Sequence, residues 1–491
     1  MIAAALVSLF GALRFSGEDL TGLTAGSTDP LTGRAALHAI QADLDGDGAM
    51  DLMLPAEVWL QRAGTYPRTH RVALPRAGEC PNYDTQPEGI MARLPGSLEA
   101  YALEGGAWRN VLAQPIEWPD AAERAAAAEP GHAPSIERFL HDIDSDSIPE
   151  ILVPGPGGVY LYRKNGGLYA LDSVLRVYPA AQTLPVTLGV LWPPGARRPG
   201  FPVRQMNCRI LVEGGQLTVL QRQEIPADQI LYTITRHNLA AVLPGEQPGI
   251  LDQFTTGPMP EFVAPVRLNE DGSVDFAGGD WNYSDATPLP TPIFRTVAST
   301  NRGESMQSIR TQSFRPRCSF FDVNGDGRVD AIAEHMKLFD GGVREAVNRF
   351  ATQRTIDHEI RVHYQDEAGI FSRMPSIRHL VRIDLGRPAI RGGSQFEQYR
   401  SGGMIDVSGD FDGGGLADLL VQDRSDRLTV FLNRGGAFSG EPGAEIPLPP
   451  GARHTVADVN GDGYSDIVIA WKSEVPESEE STRVYFARGG R

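Results

Sequence analysis

Lysine is nearly missing from this chain. Lys164, Lys337 and Lys472 are all there are, and arginine carries the rest of the positive charge. We read this as a composition bias and not as a functional signal. Basic residues are outnumbered, with 45 Lys and Arg against 62 Asp and Glu and a formal net charge of -17. A nucleic-acid partner requires a basic surface to meet its phosphates, so the composition argues against that class and suits a protein that holds cations. Apolar runs are short: none reaches the ~18–20 residues of a membrane-spanning helix. Cysteine is scarce as well. Cys80, Cys208 and Cys318 form no C-x-x-C pair, which argues against a zinc or thioredoxin-like site. Their odd number leaves the redox compartment open.

Helical signals and catalytic signatures are also thin. Residues 120–129 carry good helix formers behind a candidate N-cap, Asp120, and stop at Pro130-Gly131. Residues 343–355 are a weaker candidate, and both read as connections. No G-x-S-x-G elbow, P-loop, H-E-x-x-H or dinucleotide fingerprint occurs. His358 and His363 are five apart in a β-like run and fall on opposite faces, so the expectation is two unrelated surface histidines. His237, His335, His379 and His454 are isolated in sequence. The apolar run Ile2–Leu13 has signal-peptide length but neither a basic segment before it nor a clear cleavage site, so signal and buried strand both stand as readings.

What the chain has in quantity is glycine and proline, 54 and 37 residues, which suits many short strands and turns. It also has a repeat. Asp43, Asp45, Asp47 and Asp51 stand at positions 1, 3, 5 and 9 of a loop with Gly48 at position 6. The pattern returns as Asp322, Asn324, Asp326 and Asp330, and as Asp458, Asn460, Asp462 and Asp466. Two copies are worn. Asp142, Asp144, Asp146 and Glu150 have Ser147 in place of the glycine, and Asp410, Asp412 and Asp418 have Gly414 in place of the fifth-position acid. A very degenerate sixth copy runs from Arg267 to Asp275. The first positions, 43, 142, 322, 410 and 458, fit a unit of about 45–50 residues, the period of a four-stranded propeller blade. β-rich runs closing on a glycine turn follow at short distance, among them Val58–Tyr66, Val159–Tyr169, Leu428–Phe438 and Val484–Gly490. Leu98–Trp108 has such a run without a nearby acidic loop, as expected of a blade that kept its fold and lost its metal site. The aromatic residues Trp59, Tyr160, Tyr162, Tyr364, Phe431 and Tyr485 recur in these runs. Core packing between blades is the plainer reading of them and a sugar-stacking platform the sharper one.

The loops carry oxygen ligands. Carboxylate or amide oxygens at positions 1, 3, 5 and 9, with a backbone carbonyl at position 7 (Ala49, Arg328, Tyr464), suit Ca²⁺, which accepts 6–8 hard oxygens in flexible geometry. An EF-hand would need a Glu at position 12, where these loops have Leu54, Ala333 and Ile469. Strand-like apolar runs follow instead, so each loop joins two strands. An acidic turn without an ion is the alternative. Three intact copies on one period weigh against it, because crowded carboxylates repel without a cation. Among the worn loops, Ser147 and Pro149 are expected to disturb the turn at Asp142, and the loop at Asp410 is expected to bind weakly. The ions, about three to five, would be structural, since each loop fills its own coordination sphere.

These segments, Ala42–Leu54, Phe321–Ala333, Gly409–Val421 and Ala457–Ala470, resemble the FG-GAP/VCBS repeat family, the calcium-bearing blades of integrin alpha-chain propellers and many bacterial surface proteins. The VCBS form is the nearer one. The resemblance implies an all-β fold, a seven-bladed or alternatively eight-bladed β-propeller, and an extracellular, cell-surface or periplasmic address. It covers the two ends of the chain and leaves about 175–315 as diverged blades or an inserted surface element within a single domain over 21–491. The last blade is one strand short, and Leu9–Glu18 is the candidate to complete it. The functional expectation is a noncatalytic module binding a protein or carbohydrate partner, with specificity from the 175–315 region. A polysaccharide lyase or glycoside hydrolase on the same scaffold, and a purely structural module of a larger surface assembly, are the alternatives.

Overall fold

The structure of the protein, a computed structural model, describes residues 14–19, 25–28, 35–37, 40–54, 57–76, 82–86, 89–119, 135–136, 139–155, 157–177, 187–189, 208–213, 215–225, 229–240, 242, 245–260, 263–266, 268, 274–284, 291–299, 306–311, 318–337, 344–345, 348, 352, 355–384, 405–449, 452–472 and 480–488. Nearly all of them are strand or turn. The chain divides into two compact units. One comprises His38–Leu191 and Pro202–Glu261, the other Met1–Leu37, Trp192–Phe201 and Phe262–Arg491.

The first unit carries four sheets in sequence order. The sheet 40–73 runs Ile40–Ala42, Asp51–Met53, Glu57–Trp59, Arg71–Ala73, each strand antiparallel to the one before. The sheet 82–115 repeats this path and takes Ser135–Ile136 as a parallel fifth strand. The sheet 140–175 is again four-stranded, with Leu140–His141 first and Leu168–Leu175 last. In the sheet 187–260 the antiparallel strands Cys208–Glu213 to Gly249–Thr255 are flanked by the short Thr187–Gly189 and Met259–Pro260.

The second unit also carries four four-stranded sheets, 263–311, 318–384, 405–447 and 453–488, besides the small pair Ala25–Thr28 and Ala35–Leu37. The last of the four draws one strand from the opposite end of the chain. Arg14–Asp19 pairs antiparallel with Glu480–Arg488, Arg14 opposite Arg488 and Asp19 opposite Arg483. The expected segment Leu9–Glu18 overlaps this strand from Arg14, and residues 9–13 lie outside the described residues. So do all of Ile2–Leu13 and the expected helix at 120–129. Residues 344, 345, 348 and 352 are helical, within the connection expected there. The described residues of 175–315 form two sheets, antiparallel except for the parallel pairing of Thr187–Gly189 with Cys208–Glu213. Among the described residues no helix is long and apolar enough to cross a membrane.

Burial shows why the sheets stack. Second strands are covered on both faces: all six residues of Gly89–Leu94 are buried, as is Glu150–Val153. Fourth strands alternate or lie open, as in Ala107–Pro115 and Ile377–Asp384. Each core is built between consecutive sheets of a unit. Val323, Ile360 and Val362 meet Val407, Leu419 and Val421. Leu428 and Val430 meet Ile467 and Ile469. In the first unit Val58 and Leu60 meet Tyr83 and Ile90, and Leu152 and Leu161 meet Ile210 and Leu217. Fully burying one such aliphatic side chain contributes roughly 1.5–3 kcal/mol. A succession of four-stranded antiparallel sheets packed face on face is consistent with a β-propeller-like fold.

Candidate metal centres

All six acidic loops join the first strand of a sheet to its second, and position 9 is the residue that opens the second strand. Asp51, Glu150, Asp275, Asp330, Asp418 and Asp466 hold that place and are buried. Each carboxylate accepts the N–H of position 2 of its own loop, from Leu44 (2.9 Å), Ile143 (3.0 Å), Leu268 (2.5 Å), Val323 (3.1 Å), Phe411 (2.8 Å) and Val459 (2.8 Å). The degenerate copy ending at Asp275 therefore keeps the closing bond of the repeat. In four copies the second carboxylate oxygen accepts an N–H from the end of the third strand or just beyond it, those of Gln61, Gln365, Asn433 and Ala487. Position 9 thus ties three parts of one sheet together.

Position 1 folds the turn. Asp43 accepts the N–H groups of Gly46, Asp47 and Gly48, and Asp322 and Asp458 do the same in their loops. The turn needs positive φ twice, at positions 4 and 6, which glycine adopts without strain: Gly46 lies at +76° and Gly48 at +86°. The loop at Asp142 makes the same turn with serine. Ser145 lies at +64° and Ser147 at +68°, and Ser147 N–H still donates to Asp142. The expectation that Ser147 and Pro149 disturb this turn is thereby corrected. The hydrogen bonds of the acids hold the backbone in place and the serines carry the strain.

The oxygens converge at three loops. One carboxylate oxygen each from Asp43, Asp45 and Asp51 lies within 4.8 Å of the others, as for Asp142, Asp144 and Asp146 and for Asp410, Asp412 and Asp418. In the loops at Asp322 and Asp458 position 3 is an asparagine. Asn324 and Asn460 donate Nδ2 to Asp326 and Asp462, and their Oδ1 accepts those residues' N–H. Position 7 presents its N–H to position 5, from Ala49, Arg328 and Tyr464.

The electrostatics favour a cation. Burial first, and the neighbouring acids after it, push the carboxyls of Asp51 and Asp330 up to about 6, Asp418 up to about 7 and Asp466 up to about 8, against the lowering effect of their backbone donors. Asp45 Oδ1 is buried and accepts no hydrogen bond. Hard, anionic, under-satisfied oxygens at this density fit a hard divalent cation of the calcium type.

One recurrent partner was not read from the sequence. An arginine reaches back into the loop from the end of the third strand. Arg62 pairs with Asp45 (2.5 Å) and Asp47 (2.8 Å), Arg163 with Asp144 (3.0 Å), and Arg434 with Asp412 (2.7 Å). In the loop at Asp322 the arginine sits at position 7 instead, where Arg328 pairs with Asp326 at 2.6 Å. The signal was the recurrence of Leu60-Gln61-Arg62, Leu161-Tyr162-Arg163, Leu432-Asn433-Arg434 and Phe486-Ala487-Arg488 at one place in the repeat.

Loops of consecutive sheets touch. Ser465 N–H donates to Asp410 O (2.7 Å) and Asp410 N–H to Ser465 Oγ (3.0 Å), while Gly413 lies against the Tyr464 ring. Gly325 lies against Leu416. The loops at Asp322, Asp410 and Asp458 therefore stand side by side.

The histidines are placed differently from expectation. His358 and His363 are buried, because the strand Thr355–His363 is covered on both faces. His358 Nε2 lies 3.4 Å from Glu334, and His363 Nδ1 lies 2.7 Å from the Ser372 carbonyl. His379 packs edge-on to Phe431 and Phe438. The recurrent aromatics belong to the cores: Trp59 and Tyr162 are buried, and Tyr160, Tyr364, Phe431 and Tyr485 pack against core clusters.

Two solved structures of single-residue variants of Synechocystis apocarotenoid oxygenase resemble the chain at 11% identity and a TM-score of 0.27, covering 82% and 78% of this chain and 85% and 80% of theirs. An ACO/RPE65 chimera resembles it at 10% identity and a TM-score of 0.26, covering 93% of this chain and 87% of its own. Likeness this slight carries no argument about function. No curated protein matches the sequence. The match that bears on the loops is to a family model: residues 410–469, which hold the worn loop at Asp410 and the intact loop at Asp458, match the FG-GAP-like repeat, and the chain carries a repeat of that family there.

Proposed function

We propose that the protein is a calcium-stabilised β-propeller of eight four-stranded blades, acting outside the cytoplasm as a noncatalytic binding module for a protein or glycan partner. Four sheets in each unit support eight blades over seven. The observation that carries the reading is the buried carboxylate at position 9, repeated at one place in each acidic loop. Keeping such a group ionised beside other acids is costly unless a cation compensates. Asp43, Asp45, Asp47 and Asp51 would hold one ion. Asp322, Asn324, Asp326 and Asp330 would hold a second, and Asp458, Asn460, Asp462 and Asp466 a third, with the carbonyls of Ala49, Arg328 and Tyr464. The loop at Asp410, with Gly414 at position 5, would hold the weakest. Bound calcium supplies the positive charge that lets these carboxylates stay ionised in the fold. Free calcium in the cytosol is too low for loops of this kind, which supports an extracytoplasmic address. Specificity is assigned to the connections of residues 175–315, the least repetitive part.

The test is calcium titration of the chelated protein by calorimetry, with melts of both forms. About three tight ions and a higher melting temperature in calcium are expected, and Asp462→Asn should remove one ion. No heat of binding together with identical melts would sink the calcium reading.

A further inference from the structure

The loop at Asp142 differs from the others in what its arginine reaches. Arg62 pairs with positions 3 and 5 of its loop and Arg434 with position 3, at the rim. Arg163 pairs with Asp144 at position 3 and also lies 3.9 Å from Glu150 at position 9, a carboxylate whose side chain is 6% exposed. Its Nε faces Asp172 Oδ2 at 3.8 Å, and its second terminal nitrogen donates to the Val242 carbonyl of the next sheet at 3.1 Å. Each guanidinium nitrogen has an oxygen within 4 Å, with hydrogen bonds to Asp144 and Val242 and charge contact alone at Glu150 and Asp172. Asp172 is brought there by a bulge. The register shifts between Leu161 and Tyr162, whose partners are Ser173 and Leu171, so Asp172 is left over in the fourth strand.

We propose that Arg163 is the resident cation of the loop 142–150, standing where an ion would stand in the intact loops, so that this sheet is stapled without calcium. The guanidinium, hydrogen-bonded to Asp144 and to the Val242 carbonyl, sets one fixed positive charge within 4 Å of three carboxylates and offsets part of their mutual repulsion, the task a metal would have in the intact loops. It also repels an incoming divalent cation. The worn features then make sense together. Position 9 is the longer glutamate, within range of Arg163, and the turn persists on serine because the acids and the arginine hold it.

Two measurements test this, and only the second rests on the calcium reading. The first is a double-mutant cycle of melting temperatures in chelator with Arg163→Gln and Asp144→Asn. Each single variant should melt about 3 °C or more below wild type. In the Arg163→Gln background, Asp144→Asn should cost nothing or raise the melting temperature, since it then removes an uncompensated charge. Additive losses would overturn the proposal. The second is the calcium count of Asp146→Asn, an exposed change that leaves the Arg163 contacts alone and stays readable if Arg163→Gln fails to fold. An unchanged count is expected, and loss of one ion would overturn the proposal. A wild type that binds no calcium would defeat the calcium reading and leave the cycle to decide on Arg163.

Discussion

Asn433 donates its Nδ2 to the carbonyl of Val323 at 2.7 Å, across the boundary between two sheets. Val323 is position 2 of the loop at Asp322. The N–H of Asn433 meanwhile donates to Asp418, position 9 of its own sheet's loop. One residue therefore joins the acidic loop of its sheet to that of the sheet before. Gln365 repeats the arrangement, with its N–H on Asp330 and its Nε2 on the Leu268 carbonyl at 3.4 Å. Asn433→Ala strands the buried carbonyl of Val323 and the half-buried one of Ala417, and should cost about 2–4 kcal/mol. A denaturant midpoint equal to wild type would show that the bridge contributes nothing.

Asp466 gives a pH signature for the chelated protein. Its carboxyl is raised from 3.8 to about 8 in the fold. A raised carboxyl stabilises the protonated fold: its contribution is complete below the unfolded value and is lost as pH rises through the folded one. In chelator the melting temperature should therefore climb as pH is lowered from about 9 to about 7. Asp466→Asn should flatten the climb, and saturating calcium should abolish it by holding the charged form. Equal slopes with and without calcium would separate Asp466 from any ion.

His363 opposes this at lower pH. Burial first, with Arg361 and Arg378 adding to it, holds its imidazole below the ordinary value of 6.5. Its Nδ1 must be the donor toward the Ser372 carbonyl, and Nε2 is buried with no hydrogen-bond partner. The unfolded chain takes up the proton first, so this part of the stability is present at neutral pH and is lost as pH falls through about 6.5. His363→Asn, which can keep a donor to Ser372, should make the acid limb of a melting-temperature profile shallower. An unaltered limb would assign the acid loss to other groups.

The repeat was legible because its chemistry is local. Asp at position 1, glycine at position 6 and an acid at position 9 act within one turn, so spacing alone placed the loop between two strands. The sheets within 175–315 were hard to delimit for the complementary reason. Their strands pair through backbone, as in Gln216–Ile225 with Gln229–Asn238, and backbone pairing leaves little mark on residue type. Asp275 was recognised only faintly, because its position 1 is Arg267, although Asn269, Asp271 and Gly272 keep positions 3, 5 and 6. The arginines and amides that bind loops together act between distant segments, so their contacts are hidden and their mark in the sequence is a recurring place near the end of the third strand. His358 was expected at the surface because period-2 reasoning assigns one face of a strand to solvent, and here both faces are covered.

Glycine and serine should trade places with opposite outcomes. Nothing lies within 4 Å of a side chain added at Gly48, so Gly48→Ala costs only the left-handed backbone, about 1 kcal/mol. Ser147 already bears that strain at +68°. Ser147→Gly should stabilise by roughly 0.5–1 kcal/mol, net of the greater freedom of an unfolded glycine. Melts of the two variants in calcium decide it. A destabilised Ser147→Gly would mean that the serine hydroxyl does more than tolerate the turn.

Gly413 couples two loops and gives the sharpest test of that contact. It lies at +72°, and a Cβ there would stand 2.5 Å from Tyr464 Cε1, on position 7 of the loop at Asp458. Gly413→Ala therefore strains its own loop and displaces its neighbour's ring. The local cost is about 1 kcal/mol, with overpacking adding roughly 1–3 kcal/mol. Since Asp410 and Ser465 are already bonded across the same boundary, the displacement should also weaken the ion assigned to the intact loop at Asp458. Tyr464→Ala combined with Gly413→Ala removes the clash and leaves the backbone cost. The double variant should then recover most of the lost calcium affinity in calorimetry. If Gly413→Ala lowers stability with the affinity of the tight ions unchanged, the loops touch without influencing one another.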